Sequence, residues 1–282
     1  MSGAVFASLE SAIEVASEVN LSGFGESLLH PRFLEFAHVV KARGASLYFY
    51  TNGIKLDRAT AQALVQMQTD AIHVSIGGGR PETHARIRGV GLDPVVENLR
   101  YLASVKQSSQ SALPAVHLEV VALRSALREL PDILRLANSV GAESVNMAQL
   151  VAHSAALRDE SPWLHVEAAR RDLRRGHEVA RELGIRLTTP SLTPSTGRCD
   201  LLWTDLTITW DGAVMSCHRE AFCLGNLHDD AWSTIWNGPR IRSLRKALRD
   251  PGLPTLCPGC TVWDNRAECY TNPRDYTRAE GV

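Results

Sequence analysis

Cys257 and Cys260 form a Cys-x-x-Cys turn whose two thiolates can face one metal ion. Cys199 and Cys217, which bracket a predicted hairpin, can complete a set of four. Four thiolates suit a structural zinc ion and an iron–sulfur cluster equally well, so spacing alone leaves both readings standing. Cys223 and Cys269 fall outside that set, and an isolated cysteine is commonly a buried thiol. All six cysteines follow residue 198. A secreted disulfide scaffold would be short and cysteine-dense throughout, whereas thiols confined to one region of an α/β chain more often bind metal.

The other candidate chemistry sits where short apolar runs end. Leu21-Ser-Gly-Phe-Gly-Glu26 follows one run, Tyr50-Thr-Asn-Gly53 a second, and Val74-Ser-Ile-Gly-Gly-Gly79 a third. Glycine lets backbone approach a ligand, and the Glu26 carboxylate can receive an ammonium group. In parallel α/β architectures ligands bind at the carboxyl ends of strands, so three such exits on one rim point to a site. Each taken alone also reads as ordinary turn chemistry.

These exits require strands and helices to hold them. Apolar runs rich in Val, Ile, Leu and aromatics predict strands at 18–22, 46–51, 71–76, 115–122, 144–149 and 185–189. Helices are predicted from Pro31 to Arg43, from near Asp57, from Leu130 to Val140 and from Ser161-Pro162 to Leu183. Glycine follows three of them at 44, 141 and 184. This alternation fits an open doubly wound sheet or a barrel segment, which periodicity does not separate. After a Pro, Ser and Thr-rich connector at 188–197 the pattern changes. Thr204–Trp210, an Asp211-Gly212 turn and Ala213–Ser216 read as a hairpin, followed by a helix at 230–236 and a basic one at 240–249.

A chain of 282 residues, 44% hydrophobic, is long enough for a sizeable core. Its net charge of −1 argues against nucleic acid or an anionic membrane as a general partner. No signal peptide or spanning segment is legible, so a cytoplasmic location is expected. Arg170, Arg171, Arg174 and Arg175 read first as a solvated helix face, and His30 as a residue that shapes its loop. Trp203, Trp210 and Trp236 are expected to pack the small lobe, and Trp263 to shield a cluster beside the Cys-x-x-Cys turn.

In their shared order these segments resemble a known family. Leu21-Ser-Gly-Phe-Gly-Glu-Ser-Leu-Leu-His-Pro, Phe49-Tyr-Thr-Asn-Gly and His73-Val-Ser-Ile-Gly-Gly-Gly-Arg-Pro resemble successive strands of radical S-adenosylmethionine (SAM) enzymes. Trp210-Asp-Gly-Ala-Val-Met-Ser-Cys, Leu224-Gly-Asn-Leu and Ile235-Trp, closing in Cys257-Pro-Gly-Cys, resemble the SPASM or twitch type of auxiliary-cluster lobe. The resemblance spans nearly the whole chain. It implies a partial (β/α)6 TIM-like barrel over 1–190, its first strand missing, followed by a small cysteine-rich α+β lobe over 191–282.

The implied activity is reductive cleavage of SAM to a 5′-deoxyadenosyl radical that abstracts hydrogen from a peptide or small-molecule substrate. The electron donor would be of the flavodoxin or ferredoxin type. Gly23, Gly25 and Glu26 would hold the SAM amino group. Thr51, Asn52 and Ser75 would lie near its ribose and carboxylate, and Arg124 could pair with the carboxylate. Cys199, Cys217, Cys257 and Cys260 would ligate one auxiliary 4Fe-4S cluster.

Two departures shape the expectation. Gly77 stands where the family places an acidic residue, and the CxxxCxxC loop that holds the catalytic cluster has no counterpart. Without its thiolates the chain as given is expected to be truncated or inactive, a late start being favoured over natural loss. The alternative function is a noncatalytic peptide- or partner-binding protein with a zinc-stapled C-terminal lobe.

Overall fold

Ser46–Thr51 alternates side chains in and out of the core, Leu47 and Phe49 fully buried and Tyr48 and Tyr50 on the other face, as a two-residue repeat demands. The computed structural model describes residues 1–152, 155–193, 199–218 and 222–249. Six parallel strands lie side by side in chain order: β1 (Glu18–Asn20), β2 (Ser46–Thr51), β3 (Ala71–Ile76), β4 (Ala115–Val121), β5 (Ser144–Ala148) and β6 (Arg186–Thr188). All six predicted strands are present, within two residues at each end. The sheet is open, and its edges β1 and β6 have only three residues each.

Two short helices, α1 (Gly3–Ala7) and α2 (Glu10–Ile13), precede the sheet. Connecting the strands are α3 (Phe33–Ala42), α4 (Arg58–Gln66), α5 (Pro81–Arg88), α6 (Leu92–Ser108), α7 (Arg124–Arg128), α8 (Leu130–Ser139), α9 (Ala155–Arg158) and α10 (Val166–Leu183). Asp57 caps α4 by accepting from the Thr60 amide at 2.9 Å. Gly89 and Gly184 end α5 and α10 at φ 71° and 68°. The Ser161-Pro162 start is interrupted: a 3-10 turn covers 162–164, and His165, at φ −136°, leaves helical geometry before α10 begins.

One face of the sheet is apolar. Leu47, Phe49, Ile72, Val74, Leu118, Val120 and Val145 are buried on it. Phe33 of α3 meets Phe49 edge-on at 4.7 Å between ring centres. Each such aliphatic side chain contributes about 1.5–3 kcal/mol when fully buried. Helix α10 packs on α8 at Gly176, where a Cβ would lie 2.2 Å from Leu130 Cδ2 and 2.7 Å from its Cγ, so glycine makes room for the Leu130 side chain.

The described C-terminal residues form a second packed unit. After α11 (Leu201–Thr204), strands β7 (Thr207–Ile208), β8 (Ala213–Met215) and β9 (Cys223–Asn226) make an antiparallel sheet, followed by α12 (Trp232–Trp236) and α13 (Pro239–Ala247). Gly212, at φ +86°, supplies the predicted turn. Leu202, Val214, Leu224, Ile235 and Ile241 form the core, with Trp203 and Trp236 against it. Trp210 does not join them: at 75% exposure beside the turn it corrects the expectation that all three tryptophans pack this lobe. Residues 1–15 and 151–158 belong to this unit, while 16–150 and 159–192 form the sheet unit. Among the described residues no helix is long and apolar enough to cross a membrane.

Candidate functional site

The exits of β1 and β2 are tied together by one carboxylate. Glu26 Oε1 accepts from the Thr51 hydroxyl at 2.7 Å and from the Leu28 amide at 3.2 Å, and Oε2 accepts from the Asn52 amide at 2.7 Å. Ser22 Oγ accepts from the Tyr50 amide at 2.7 Å, a second tie between the same loops. Thr51 Oγ1 also accepts from the Gly53 amide at 3.0 Å, and Asn52 Oδ1 from the Ile54 amide at 2.9 Å, so each side chain is fixed in direction. Gly53 sits at φ +80° with Val95 Cγ1 2.7 Å from where a Cβ would be. Asn98 Nδ2 holds that turn from α6, donating to the Gly53 carbonyl at 2.9 Å.

A carboxylate offers about four acceptor positions. Glu26 has three donors, and its residue is half-buried, so it keeps capacity for an incoming N–H group. Gly23 has nothing within 4 Å of a Cβ position, and Gly25, at φ +113°, likewise faces open space. The structure therefore brings Gly23, Gly25, Glu26, Thr51 and Asn52 onto one loop pair with room above it.

The third exit is built differently. A Cβ at Gly77 would lie 2.9 Å from Ile87 Cβ, at Gly78 2.5 Å from Thr83 Cγ2, and at Gly79 2.7 Å from the Ile133 backbone nitrogen. These glycines exist for close packing against α5 and α8. Glu129 closes the loop, accepting from the Arg80 amide at 3.1 Å and the Thr83 hydroxyl at 2.6 Å. Ser75 is separate from this packing, half-buried on the opposite face and in register with Glu119.

Arg124 opens α7 just past β4. Its guanidinium lies 3.1 Å from His165 Nε2, and its amide donates to the Glu160 carbonyl at 2.8 Å. The Ser125 amide donates to the Glu160 carboxylate, also at 2.8 Å. The half-buried Arg124 is thus anchored to the segment before α10, at the residue where the helix is interrupted.

Sequence reasoning missed the polar face of the sheet. Strand register aligns Tyr50, His73, His117, Ser144 and Arg186 in one row, and Ser75, Glu119, Asn146 and Thr188 in the next. Glu119 Oε1 is 2.7 Å from His73 Nδ1 and accepts from Asn146 Nδ2 at 2.8 Å. His117 Nδ1 meets Ser144 Oγ at 2.9 Å. Tyr50 stacks on His73 at 4.7 Å, and His73 lies 4.9 Å from His117. Burial, with the Glu119 and Tyr48 charges, pushes the Tyr50 phenol up to about 12, so it stays neutral. Burial, with His73 beside it, pushes the His117 imidazole down. The available signal was the two-residue polar repeat, His-x-Ser in β3 and His-x-Glu in β4, inside runs that otherwise read as buried strands.

In the C-terminal unit Cys199 precedes α11, Cys217 follows β8 and Cys223 opens β9; the first two are half-buried and the third is exposed. Ser216 and Phe222 pin the ends of the Cys217 loop by backbone bonding at 2.9 Å and a Phe222 amide to Ser216 Oγ bond at 3.2 Å. Among the described residues no three His, Cys, Asp or Glu side chains gather as a metal site. Cys257, Cys260, Cys269 and Trp263 lie outside the described residues. Two of the four expected thiolates are therefore placed, and thiolates are the donors an iron–sulfur cluster takes.

Comparison with known proteins matches residues 6–137 to the Radical SAM superfamily and residues 199–261 to SPASM, an iron–sulfur cluster-binding domain. The tungsten-containing aldehyde ferredoxin oxidoreductase cofactor-modifying protein of Pyrococcus furiosus is 24% identical, over 87% of this chain and 74% of that protein. PqqA peptide cyclase of Rhizobium meliloti is 23% identical, over 86% of this chain and 66% of that protein. SuiB of Streptococcus suis, solved bound to S-adenosylmethionine, superposes with a TM-score of 0.68 at 13% identity, covering 91% of this chain and 66% of SuiB. The chain thus spans about two thirds to three quarters of these relatives.

Proposed function

We propose, for a chain that belongs to the radical SAM superfamily and carries an SPASM-type iron–sulfur lobe, that Glu26 and the loops it ties together hold SAM while a substrate is presented at the polar face of the sheet. SAM and 4Fe-4S clusters are the cofactors of these two domains. The observation that carries the reading is the Glu26 carboxylate, clamped by Thr51 and Asn52 and left with room for one further N–H donor.

In this reading Glu26 accepts from the SAM ammonium group. Gly23 and Gly25 let the ligand approach backbone, and Thr51 and Asn52 hold the carboxylate in direction. Ser75 faces the ribose side. Arg124 reaches the carboxylate of the ligand by exchanging its His165 contact for a charge-assisted one. A reduced catalytic 4Fe-4S cluster would supply the electron that splits SAM; all six cysteines of this chain follow residue 198, so its residues would contribute the SAM-holding loops and not the CxxxCxxC ligands of that cluster. The chain's own residues position the ligand. Cys199, Cys217, Cys257 and Cys260 ligate the auxiliary cluster.

The substrate class we favour is a peptide, supported by the relative named for its action on the PqqA peptide. Electrons come from a small flavodoxin- or ferredoxin-type donor. Anaerobic reconstitution with iron and sulfide, followed by metal analysis and SAM calorimetry, tests the reading. Bound iron with matching sulfide, and saturable SAM binding, are expected. A colourless protein with one zinc and no SAM binding would overturn it in favour of a peptide-binding protein stapled by zinc.

A further inference from the structure

Glu119 is the one carboxylate in the middle of the polar rows, and its side chain is 17% exposed. Its Oε1 is engaged twice, by His73 and by Asn146. Its Oε2 has no hydrogen-bond partner among the described residues. That oxygen is not among the buried polar atoms left without a partner, so it is open to solvent and to a donor from a ligand. The donors to Oε1 are an imidazole, which forms an ion pair with the carboxylate when protonated, and an amide. Arg186, the guanidinium on these rows, is exposed on edge strand β6 and makes no ion pair with Glu119.

Aromatic rings stand beside that oxygen's strand. Tyr50 stacks on His73 at 4.7 Å and 27°, and Tyr48 meets His73 at 5.5 Å. Ring faces attract a cation within about 6 Å, and an aromatic surface accepts an alkyl chain laid along it. An anionic group is excluded by the Glu119 charge. A neutral apolar group would use the rings but leave Oε2 unmet. An aliphatic ammonium uses both features, giving N–H donors to Oε2 and its methylene stem to the rings.

We infer that Glu119, with Tyr50 and His73 as its floor, binds an aliphatic primary ammonium group of the substrate, such as a lysine side chain. This deepens the proposed function and rests on its placing of substrate at the polar face.

The test is ¹⁵N-histidine NMR on the full chain, titrated with N-acetyl-lysine methylamide and, separately, with its neutral isostere N-acetyl-norleucine methylamide. The lysine compound is expected to shift the His73 nitrogens saturably and to bind at least tenfold more tightly. Glu119→Gln is expected to bring the two compounds level. Equal binding by the unaltered protein overturns the inference, as does a preference that survives Glu119→Gln. If that variant fails to fold, the comparison of the two compounds on the unaltered protein still decides. SAM calorimetry on the same sample separates the two ideas. Lysine preference without SAM binding sinks the SAM reading alone, and SAM binding without lysine preference sinks this inference alone.

Discussion

The Glu26 carboxylate and the Asn52 backbone amide meet at 2.7 Å across 26 residues of chain, so one side chain fixes the distance between two strand exits. Because the same carboxylate takes the Thr51 hydroxyl, its orientation is set before any ligand arrives. Such preorganisation lowers the cost of binding, since little remains to be ordered when the ligand lands.

Glu26→Ala therefore removes both the charge and the tie. A hydrogen bond to a charged group is worth about 1.5–3 kcal/mol, which corresponds to a loss of roughly 10- to 100-fold in SAM affinity. Calorimetry on reconstituted protein measures it, and unchanged affinity would remove Glu26 from the site.

Two glycines of the rim should behave in opposite ways. Gly23 has open space where a Cβ would go, so Gly23→Ala should leave the urea midpoint unchanged while lowering SAM affinity through contact with the ligand. Gly79 has the Ile133 nitrogen at 2.7 Å, and backbone cannot rotate away. Gly79→Ala should cost about 1–3 kcal/mol of stability, the usual range for overpacking. Paired urea melts and SAM titrations check both halves, and a Gly23→Ala protein that binds SAM normally would place the ligand elsewhere.

The α8–α10 crossing supplies a test of packing alone. Gly176→Ala drives a methyl to 2.2 Å from Leu130 Cδ2 and should destabilise by about 1–3 kcal/mol. Leu130→Ala on its own opens a cavity at a fully buried site and should cost about 2–5 kcal/mol. Combined, the alanine methyl fills part of that space, so the double variant should lose less than the sum of the two. Strict additivity in chemical denaturation would contradict the contact.

How much of this was readable from the chain depends on whether one residue or many carried the signal. Every strand of the sheet was legible because runs such as Ser46–Thr51 are β-prone over their whole length, and Gly44, Gly141 and Gly184 marked helix ends. The Glu26 loop was legible by its glycines and its place after a strand. Resemblance pointed to the radical SAM and SPASM domains before the comparisons matched both. What escaped was lateral. Tyr50, His73, His117 and Ser144 are neighbours only because β2 to β5 align in register, and register depends on all the strands at once. The role of Gly77–Gly79 escaped because their crowding comes from side chains and backbone that only the folded chain brings back, Thr83 and Ile87 on the next helix and Ile133 on α8.

Acid should loosen the sheet unit through two histidines. His84 is fully buried, with Nδ1 accepting from the Gly77 amide at 3.2 Å and Nε2 unpartnered. Burial, then the nearby Arg88 charge, lowers its imidazole below the ordinary value of 6.5. His117 is lowered likewise, by burial first and then by His73. For both groups the unfolded chain takes up protons at a pH where the folded chain does not, so stability rises with pH across that interval. Their contribution is intact above about pH 6.5 and is lost progressively as pH falls below it toward the lowered folded values. Urea melts at pH 7.5, 6.5, 5.5 and 5.0 should show midpoints falling over the last two steps. In the His84→Gln, His117→Gln double variant that decline should be shallower. A double variant whose midpoint falls as steeply as the parent's would assign the acid sensitivity to other groups.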